Sequence, residues 1–164
     1  MELLLYHLIN YLSENIPELQ TIDEDYGQLE ALDNEETDTY PIVFPALLIN
    51  TPDTEWSGLK GKSQKGKAQV GFRLCLDCYD DTHADSGTLD AVIARQQMVD
   101  KLHGLLQGYR PIEDGEMIRE KSKFYTWSHG IKVYEIYYTL SVSDIITETV
   151  AAPKPKVKIS FEKI

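Results

Sequence analysis

Residues 69–78 alternate strictly between apolar side chains and polar or small ones, and few structures suit such a pattern. The apolar positions are Val70, Phe72, Leu74, Leu76 and Cys78. A period of two places alternate side chains on opposite sides of an extended chain. The segment therefore predicts a β-strand with one buried face, around which the rest of the chain has to build a sheet and a cover.

Two segments have the three- and four-residue spacing of an amphipathic helix. The apolar residues of the first are Leu4, Leu5, Leu8, Leu12, Ile16 and Leu19. A proline inside a helix costs about 3 kcal/mol, so Pro17 predicts that this helix ends near Asn15. The second helix is expected to begin near Thr88 and to stop at Gly104 or Gly108. Its predicted inner face consists of Leu89, Val92, Ile93, Gln96, Val99, Leu102 and Leu106.

The apolar run at residues 40–50 contains two prolines. Proline donates no hydrogen bond to a sheet, so this run predicts an edge strand, or a central strand only from Ala46 onward. The acidic residues 20–39 before it lack apolar periodicity and predict an irregular connection. Residues 51–67 after it are polar and rich in Gly and Lys, which predicts a long hairpin loop.

A hairpin is predicted near the end of the chain. Residues 117–127 and 131–143 are aromatic and β-branched runs, and a compact turn at 128–130 joins them. In the second strand one face is expected to be shared by Tyr134, Ile136, Tyr138, Leu140 and Val142. The order helix, strand, loop, strand, helix, hairpin favours sheet and helices in separate layers.

These elements predict an α+β fold, with a small, mostly antiparallel sheet, two main helices packed on one face, and the long hairpin loop. We assign residues 1–145 to a single domain, since a chain of 164 residues suits one. Residues 146–164 are assigned to a C-terminal arm. The arm contains Pro153 and Pro155, which stiffen it, and then an alternating, strand-like stretch.

The net charge of −11 is spread unevenly along the chain. Residues 1–59 hold thirteen acids and no Lys or Arg, whereas residues 60–164 hold fourteen acids and sixteen bases. Such a chain repels phosphate backbones, so direct nucleic-acid binding is not expected. The asymmetry favours contact with a basic partner or with copies of the same chain, although acidic loops also serve solubility alone.

Hydrophobic residues make up 42% of the chain and charged residues 26%, which are the values of a globular protein. No stretch reaches the roughly 18 apolar residues that a membrane helix requires. The first residues carry an acid where a signal peptide has a base, so no export signal is predicted. We therefore expect a cytoplasmic protein with no membrane partner.

Metal and thiol chemistry have weak candidates. Asp77, Asp80, Asp81, His83 and Asp85 form the densest set of ligand-type side chains, which a metal-dependent hydrolase would use, but acids at a strand exit also suit the start of a helix. The Cys-x-x-Cys pair at 75 and 78 has no second pair, and residues three apart on a strand face opposite sides. We predict no metal, no cofactor and a packing role for the cysteines.

Three groups of residues are candidates for contacts with other molecules. The lysines of the loop are Lys60, Lys62, Lys65 and Lys67, and they suit an acidic surface such as segment 23–38 of an adjacent copy. Tyr125 and Tyr137 are expected opposite the main buried face of the aromatic hairpin 124–138. The strand-like arm offers Val157, Ile159 and Phe161, which suit addition to a free sheet edge.

The layout resembles the small tail-completion, tail-terminator and head–tail joining proteins of long-tailed bacteriophages and prophages. The resemblance rests on the leading helix, the Tyr-Pro-Ile-Val-Phe-Pro-Ala-Leu-Leu-Ile segment at 40–49, the Gly/Lys-rich loop, the strand at 68–79, the helix at 88–107 and the exit through Leu140-Ser141-Val142-Ser143-Asp144. It spans residues 1–145 and matches element order, with no invariant motif.

That resemblance implies ring-forming domains, commonly hexamers, which act through subunit contacts without catalysis or cofactor. Its partners would be copies of itself and other tail or neck proteins, first in the host cytoplasm and then in a virion. The alternatives are a binding module that uses the aromatic hairpin for a sugar or peptide, and a metal-dependent hydrolase. No nucleophile motif such as Gly-x-Ser-x-Gly is present, so we favour a structural protein over an enzyme.

Overall fold

The computed structural model describes residues 2–33, 42–59, 62–78, 82–112 and 115–145. The chain folds into one sheet of six strands with helices against it, which confirms the predicted α+β class. In chain order the elements are α1 (Glu2–Asn15), β1 (Thr21–Glu24), α2 (Gln28–Ala31), β2 (Ala46–Ile49), β3 (Asp53–Gly58), β4 (Gln64–Leu76), α3 (Ala91–Leu106), β5 (Ile118–Thr126) and β6 (Lys132–Asp144). A 3-10 turn, Ser128–Gly130, joins β5 to β6. The arm, residues 146–164, lies outside the described residues.

The strand order across the sheet is β1-β2-β4-β6-β5, and β3 also pairs with β4, on the same side as β2. Only β1 and β2 run parallel among these pairs. The longest ladder joins β4 to β6, from Gln64 opposite Asp144 to Leu76 opposite Lys132. This ladder runs the whole length of the sheet and holds its two halves together.

One face of the sheet carries the main core, which α1 and α3 cover. Buried residues of β4 and β6 meet the apolar stripes of the two helices there, and they include Leu8, Leu12, Phe72, Leu74, Leu102, Leu106, Ile136 and Tyr138. Two main helices on one face were predicted, and that arrangement is confirmed. The first helix ends at Asn15 as expected, because the backbone cannot continue as a helix through Pro17.

The second main helix differs from its prediction at its start. It begins at Ala91, because residues 88–90 form tight turns in which Ala91 N–H donates to the Thr88 carbonyl over 2.9 Å. Leu89, Val92, Ile93 and Gln96 were expected to face inward, yet all four are exposed, the first three by more than 40%. The core contacts of this helix begin with its later turns, at Val99 and Leu102.

The opposite face of the sheet is covered in part, so the expectation of a single buried face for residues 69–78 is wrong. Every residue of β4 from Val70 to Leu76 is buried. A second, smaller cluster contains Leu29, Ala46, Leu48, Cys75, Ile131 and Val133, with Ile42, Phe44, Tyr125 and Trp127 packed against it. The cover comes from α2 and from the residues that precede β2.

Two segments predicted to be irregular contain regular structure. Within residues 20–39, the chain forms the edge strand β1 and the short helix α2. Within residues 51–67, β3 and the start of β4 pair from Asp53 opposite Gln69 to Gly58 opposite Gln64, so the predicted long loop is a short turn between two strands. The run at 40–50 becomes a central strand only from Ala46, which is the second of the two predicted forms.

No helix in the described part of the chain is long and apolar enough to cross a membrane.

Candidate functional site

The β3–β4 hairpin, residues 53–69, is the first surface that could meet another molecule. All of β3 except Thr54 is exposed, including Trp56, which is 43% exposed. Trp56 lies opposite Gly66, where an added Cβ would come within 3.0 Å of the indole and 2.7 Å of the Thr54 methyl. Gly66 therefore leaves room for the indole, which lies on the main-core face of the hairpin and stays partly exposed.

Three of the four predicted loop lysines lie on this hairpin or at its turn. Lys65 and Lys67 belong to β4 and are exposed, and Lys62 is exposed at the turn, whereas Lys60 lies outside the described residues. The ammonium of Lys67 lies 2.5 Å from a Glu120 carboxylate oxygen on β5, and this hydrogen bond lowers the pKa of Glu120. Lys67 thus binds within the molecule.

Strand β5 forms one end of the sheet and is the second candidate surface. Eight of its nine residues are exposed, and in the described part of the chain it pairs only with β6. Arg119, Lys121 and Lys123 make it basic, while Ile118 and Phe124 expose apolar surface. A long edge strand presents unpaired N–H and C=O groups to another chain unless something covers it.

The opposite end of the sheet, β1, is acidic and shielded by its own side chains. Asp23 accepts a hydrogen bond from the Glu24 N–H over 2.8 Å, and Gln28 donates to the Glu24 carbonyl over 2.7 Å. Asp25 directly follows β1 and Glu30 lies in α2, and the two carboxylates share one cation, Arg73, so this end keeps a net negative charge. The two ends of one sheet therefore carry opposite charge, negative beside β1 and positive along β5.

A buried ion pair network joins this acidic end to the centre of the sheet. The Arg73 guanidinium lies 2.5 Å from Asp25 and 2.5 Å from Glu30. The hydrogen bond from Arg73 lowers the pKa of Glu30. Burial disfavours the positive charge of Arg73, but its hydrogen bonds to the two carboxylates outweigh burial and raise the pKa of Arg73. The network fixes β1 and α2 against β4.

Tyr125 and Tyr137 lie on the face opposite the main core, as predicted, but both are half-buried. Tyr125 packs against the second cluster, and Tyr137 packs over Gly71, whose added Cβ would lie 3.0 Å from the ring. The Tyr137 hydroxyl donates to Glu135, and this bond raises the pKa of Tyr137 to about 12. Much of each ring is therefore already used inside the protein.

A groove that the sequence analysis missed lies between α3 and the β5–β6 hairpin, with a volume of about 500 Å³. Phe124 and Tyr134 stack in its wall with ring centroids 4.6 Å apart. The described residues that line this basic groove include four cations and no carboxylate, and the cations are Arg95, Arg119, Lys123 and Lys132. Positive charge next to a flat aromatic surface suits an anionic ligand.

The metal candidates are not brought together in the described residues. Asp77 is exposed just beyond the end of β4, and the Asp85 N–H donates to the His83 ring nitrogen over 3.1 Å. Asp80 and Asp81 lie outside the described residues, within which no three His, Cys, Asp or Glu side chains could hold a metal ion.

The two cysteines lie on opposite faces of the sheet, as the alternation predicted. Cys75 is buried in the second cluster, and Cys78 packs against the main core. Burial raises the pKa of the Cys75 thiol to about 12. The arm candidates Val157, Ile159 and Phe161 lie outside the described residues.

Comparison with models of known protein families gives no match, and comparison with curated proteins gives none either.

Proposed function

We propose that this protein is a structural or assembly component that acts by head-to-tail self-association, in the manner of the ring-forming tail-completion and head–tail joining proteins of long-tailed phages. The observation that carries the proposal is the opposite charge of the two ends of one sheet, with a nine-residue exposed strand at the basic end. A head-to-tail contact needs two different surfaces that complement each other, and a ring results when the rotation closes.

The two ends differ in a way that suits such a contact. On β1 the backbone groups of Glu24 already bind local side chains, so this end offers charge and side chains. On β5 the Arg119 N–H donates to Gln107 over 3.1 Å, whereas the exposed Phe124 ring and the Lys121 and Lys123 side chains remain accessible in the described part of the chain. Attraction between the ends would be strong at low salt and weak at high salt, because exposed charges are screened over about 10 Å at 0.1 M.

Light scattering coupled to size exclusion tests this proposal over a wide concentration range at 50 mM and 500 mM salt. We expect oligomers that dissociate at the higher salt concentration. The double variant Lys121→Glu/Lys123→Glu should be monomeric at low salt, and adding Glu24→Lys chains should restore association. The control is Lys65→Glu, an exposed residue of the central strand β4, which changes charge on neither end strand. A wild-type protein that stays monomeric at every concentration would overturn the proposal.

A second candidate, a binding module, is favoured by the basic groove. Stacked rings beside four cations suit a ligand that has a flat ring and a carboxylate or phosphate. Titration calorimetry with indole-3-acetate and with adenosine monophosphate tests it. The variant Phe124→Ala should abolish the heat signal if the groove binds either probe. Absence of binding to the wild-type protein at millimolar probe removes support for such a ligand.

A further inference from the structure

The outer edge of β3 is a second free edge, distinct from β5. In the described residues β3 pairs on one side only, with β4 along all six positions from Asp53 to Gly58. An extended segment can add to such an edge through backbone hydrogen bonds, while its alternate side chains give specificity. The side chains of β3 therefore indicate what kind of strand would fit.

The two faces of β3 differ in chemistry. Thr54 and Trp56 lie on the side of the main core, where the indole packs over Gly66 next to Val142. Asp53 and Glu55 lie on the other side. Glu55 stands opposite Lys67, but the ammonium of Lys67 is bound to Glu120 on β5. A matching strand would carry apolar side chains on one face and cations on the other.

Residues 156–161 of the arm have that pattern, since Val157, Ile159 and Phe161 alternate with Lys156 and Lys158. We propose that this stretch of one copy adds as an antiparallel strand to the outer edge of β3 in a neighbouring copy, an inference that rests on the proposed self-association. One such register places Val157 opposite Trp56 and Lys158 opposite Glu55, so both faces match at once.

Charge favours this edge over the β5 edge, and on the acidic β1 edge the backbone groups of Glu24 already bind the side chains of Asp23 and Gln28. The β5 edge carries Arg119, Lys121 and Lys123, which repel the lysines of the arm. The arm leaves β6 after Asp144, which pairs with Gln64 next to the end of β3, so its own β3 also lies within reach, and the proposed self-association is what selects the neighbouring copy. The residues between 145 and 156 span up to about 36 Å, which is enough to reach a neighbour.

Disulfide trapping between two differently tagged chains tests the inference. One chain carries Thr54→Cys and the other Ile159→Cys, both in a Cys78→Ser background, with Cys75 buried in each. We expect a cross-linked heterodimer under mild oxidation. The matched control replaces Thr54→Cys by Ser122→Cys on the exposed β5 edge, and this pair should give no heterodimer.

A charge exchange provides the second measurement. Glu55→Lys or Lys158→Glu alone should weaken association about fivefold, and the two together should restore it, because opposite charges across a strand pair attract. A trap at Ser122, a cross-link only within one chain, or oligomers by light scattering without any trap would overturn the arm inference and leave self-association standing. A protein that is monomeric throughout would instead overturn the proposed function.

Discussion

Replacing Arg73 by methionine is the sharpest test of how β1 and α2 are held against β4. Methionine matches the length of the arginine stem but carries no charge, so the substitution keeps the packing and removes the ion pairs. The Asp25 carboxylate would then lose its cation, although its side chain is only 9% exposed to water. The Gly27 N–H, 3.2 Å away, would be left as a donor to it.

The expected loss of stability follows from the burial of each partner. Removing one member of a buried ion pair costs about 3–5 kcal/mol, because the other charge stays buried without its partner. The Glu30 side chain is 47% exposed, so its pair with Arg73 adds less than about 1 kcal/mol. The Arg73 Nε makes no hydrogen bond within the described residues, which places the loss at the lower end, about 3 kcal/mol.

Urea denaturation followed by circular dichroism measures this loss as a lower midpoint with an unchanged slope. The control Glu30→Gln removes the exposed partner alone and should cost less than about 1 kcal/mol. Since Arg73 lowers the pKa of Glu30, ionised Glu30 stabilises the fold above its unfolded-state value of 4.5, and this contribution is lost as the pH falls through the folded-state pKa. The difference between Glu30→Gln and wild type should therefore disappear in acid.

The reasoning fails if Arg73→Met is as stable as the wild type, or less destabilised than Glu30→Gln. Either result would mean that Asp25 finds water or another donor when the guanidinium is gone. A change in the slope rather than the midpoint would point to an altered unfolded or native state and would have to be resolved first.

Two further predictions concern single side chains. Gly115→Ala should destabilise the fold by about 1–3 kcal/mol, because its Cβ would lie 2.6 Å from the Ser141 carbonyl oxygen, and a paired strand cannot yield; thermal unfolding measures it. The same change at Gly104, with open space around it on the exposed side of α3, should raise stability by up to about 1 kcal/mol, and a loss there would contradict this. Cys75 should not react with Ellman's reagent in the native protein, so a Cys78→Ser variant should show its one thiol only after unfolding, and fast native labelling would refute the burial argument.

The side of the sheet that the helices cover could be predicted, because an element buried on one face has apolar residues at regular intervals in the sequence. The alternation through Phe72, the stripe through Leu8 and Leu12, and the inner face of β6 through Ile136 and Tyr138 each show such a pattern, and each lies in the main core. Any element that packs one apolar side against a core shows a period of two or 3.6. These elements set the class and most of the layer order.

The elements that the sequence analysis missed, β1 and β3, lack such a periodic pattern. Both faces of β3 are exposed for most of its length, so its residues alternate in no useful way. In β1 the acids Asp23 and Glu24 occupy a strand of four residues, where local hydrogen bonds from side chains replace apolar burial. Arg73 looked like a solvent-side residue, because its partners Asp25 and Glu30 lie far back in the chain.

The basic groove could not be found from spacing either. Its cations come from the helix α3 and from two strands, and Arg95, Arg119 and Lys132 have no common interval in the sequence. The antiparallel pairing of β5 with β6, together with the packing of α3, places their side chains around the stacked rings. The opposite charges of the chain halves, by contrast, were visible from the sequence, and part of each lies at one end of the sheet, Asp23 and Glu24 on β1 and Lys121 and Lys123 on β5.

The pairing of β4 with β6 also has a consequence for synthesis. Strand β4 leaves the ribosome long before its partner β6, which begins only at Lys132. Until β6 is synthesised, Phe72 and its apolar neighbours stay exposed on an incomplete sheet. Such nascent intermediates expose apolar surface and aggregate readily. The thirteen acids and absent cations of the first 59 residues give every growing chain a strong negative charge during that wait. Mutual repulsion would keep neighbouring chains on one polysome apart until the last strand arrives.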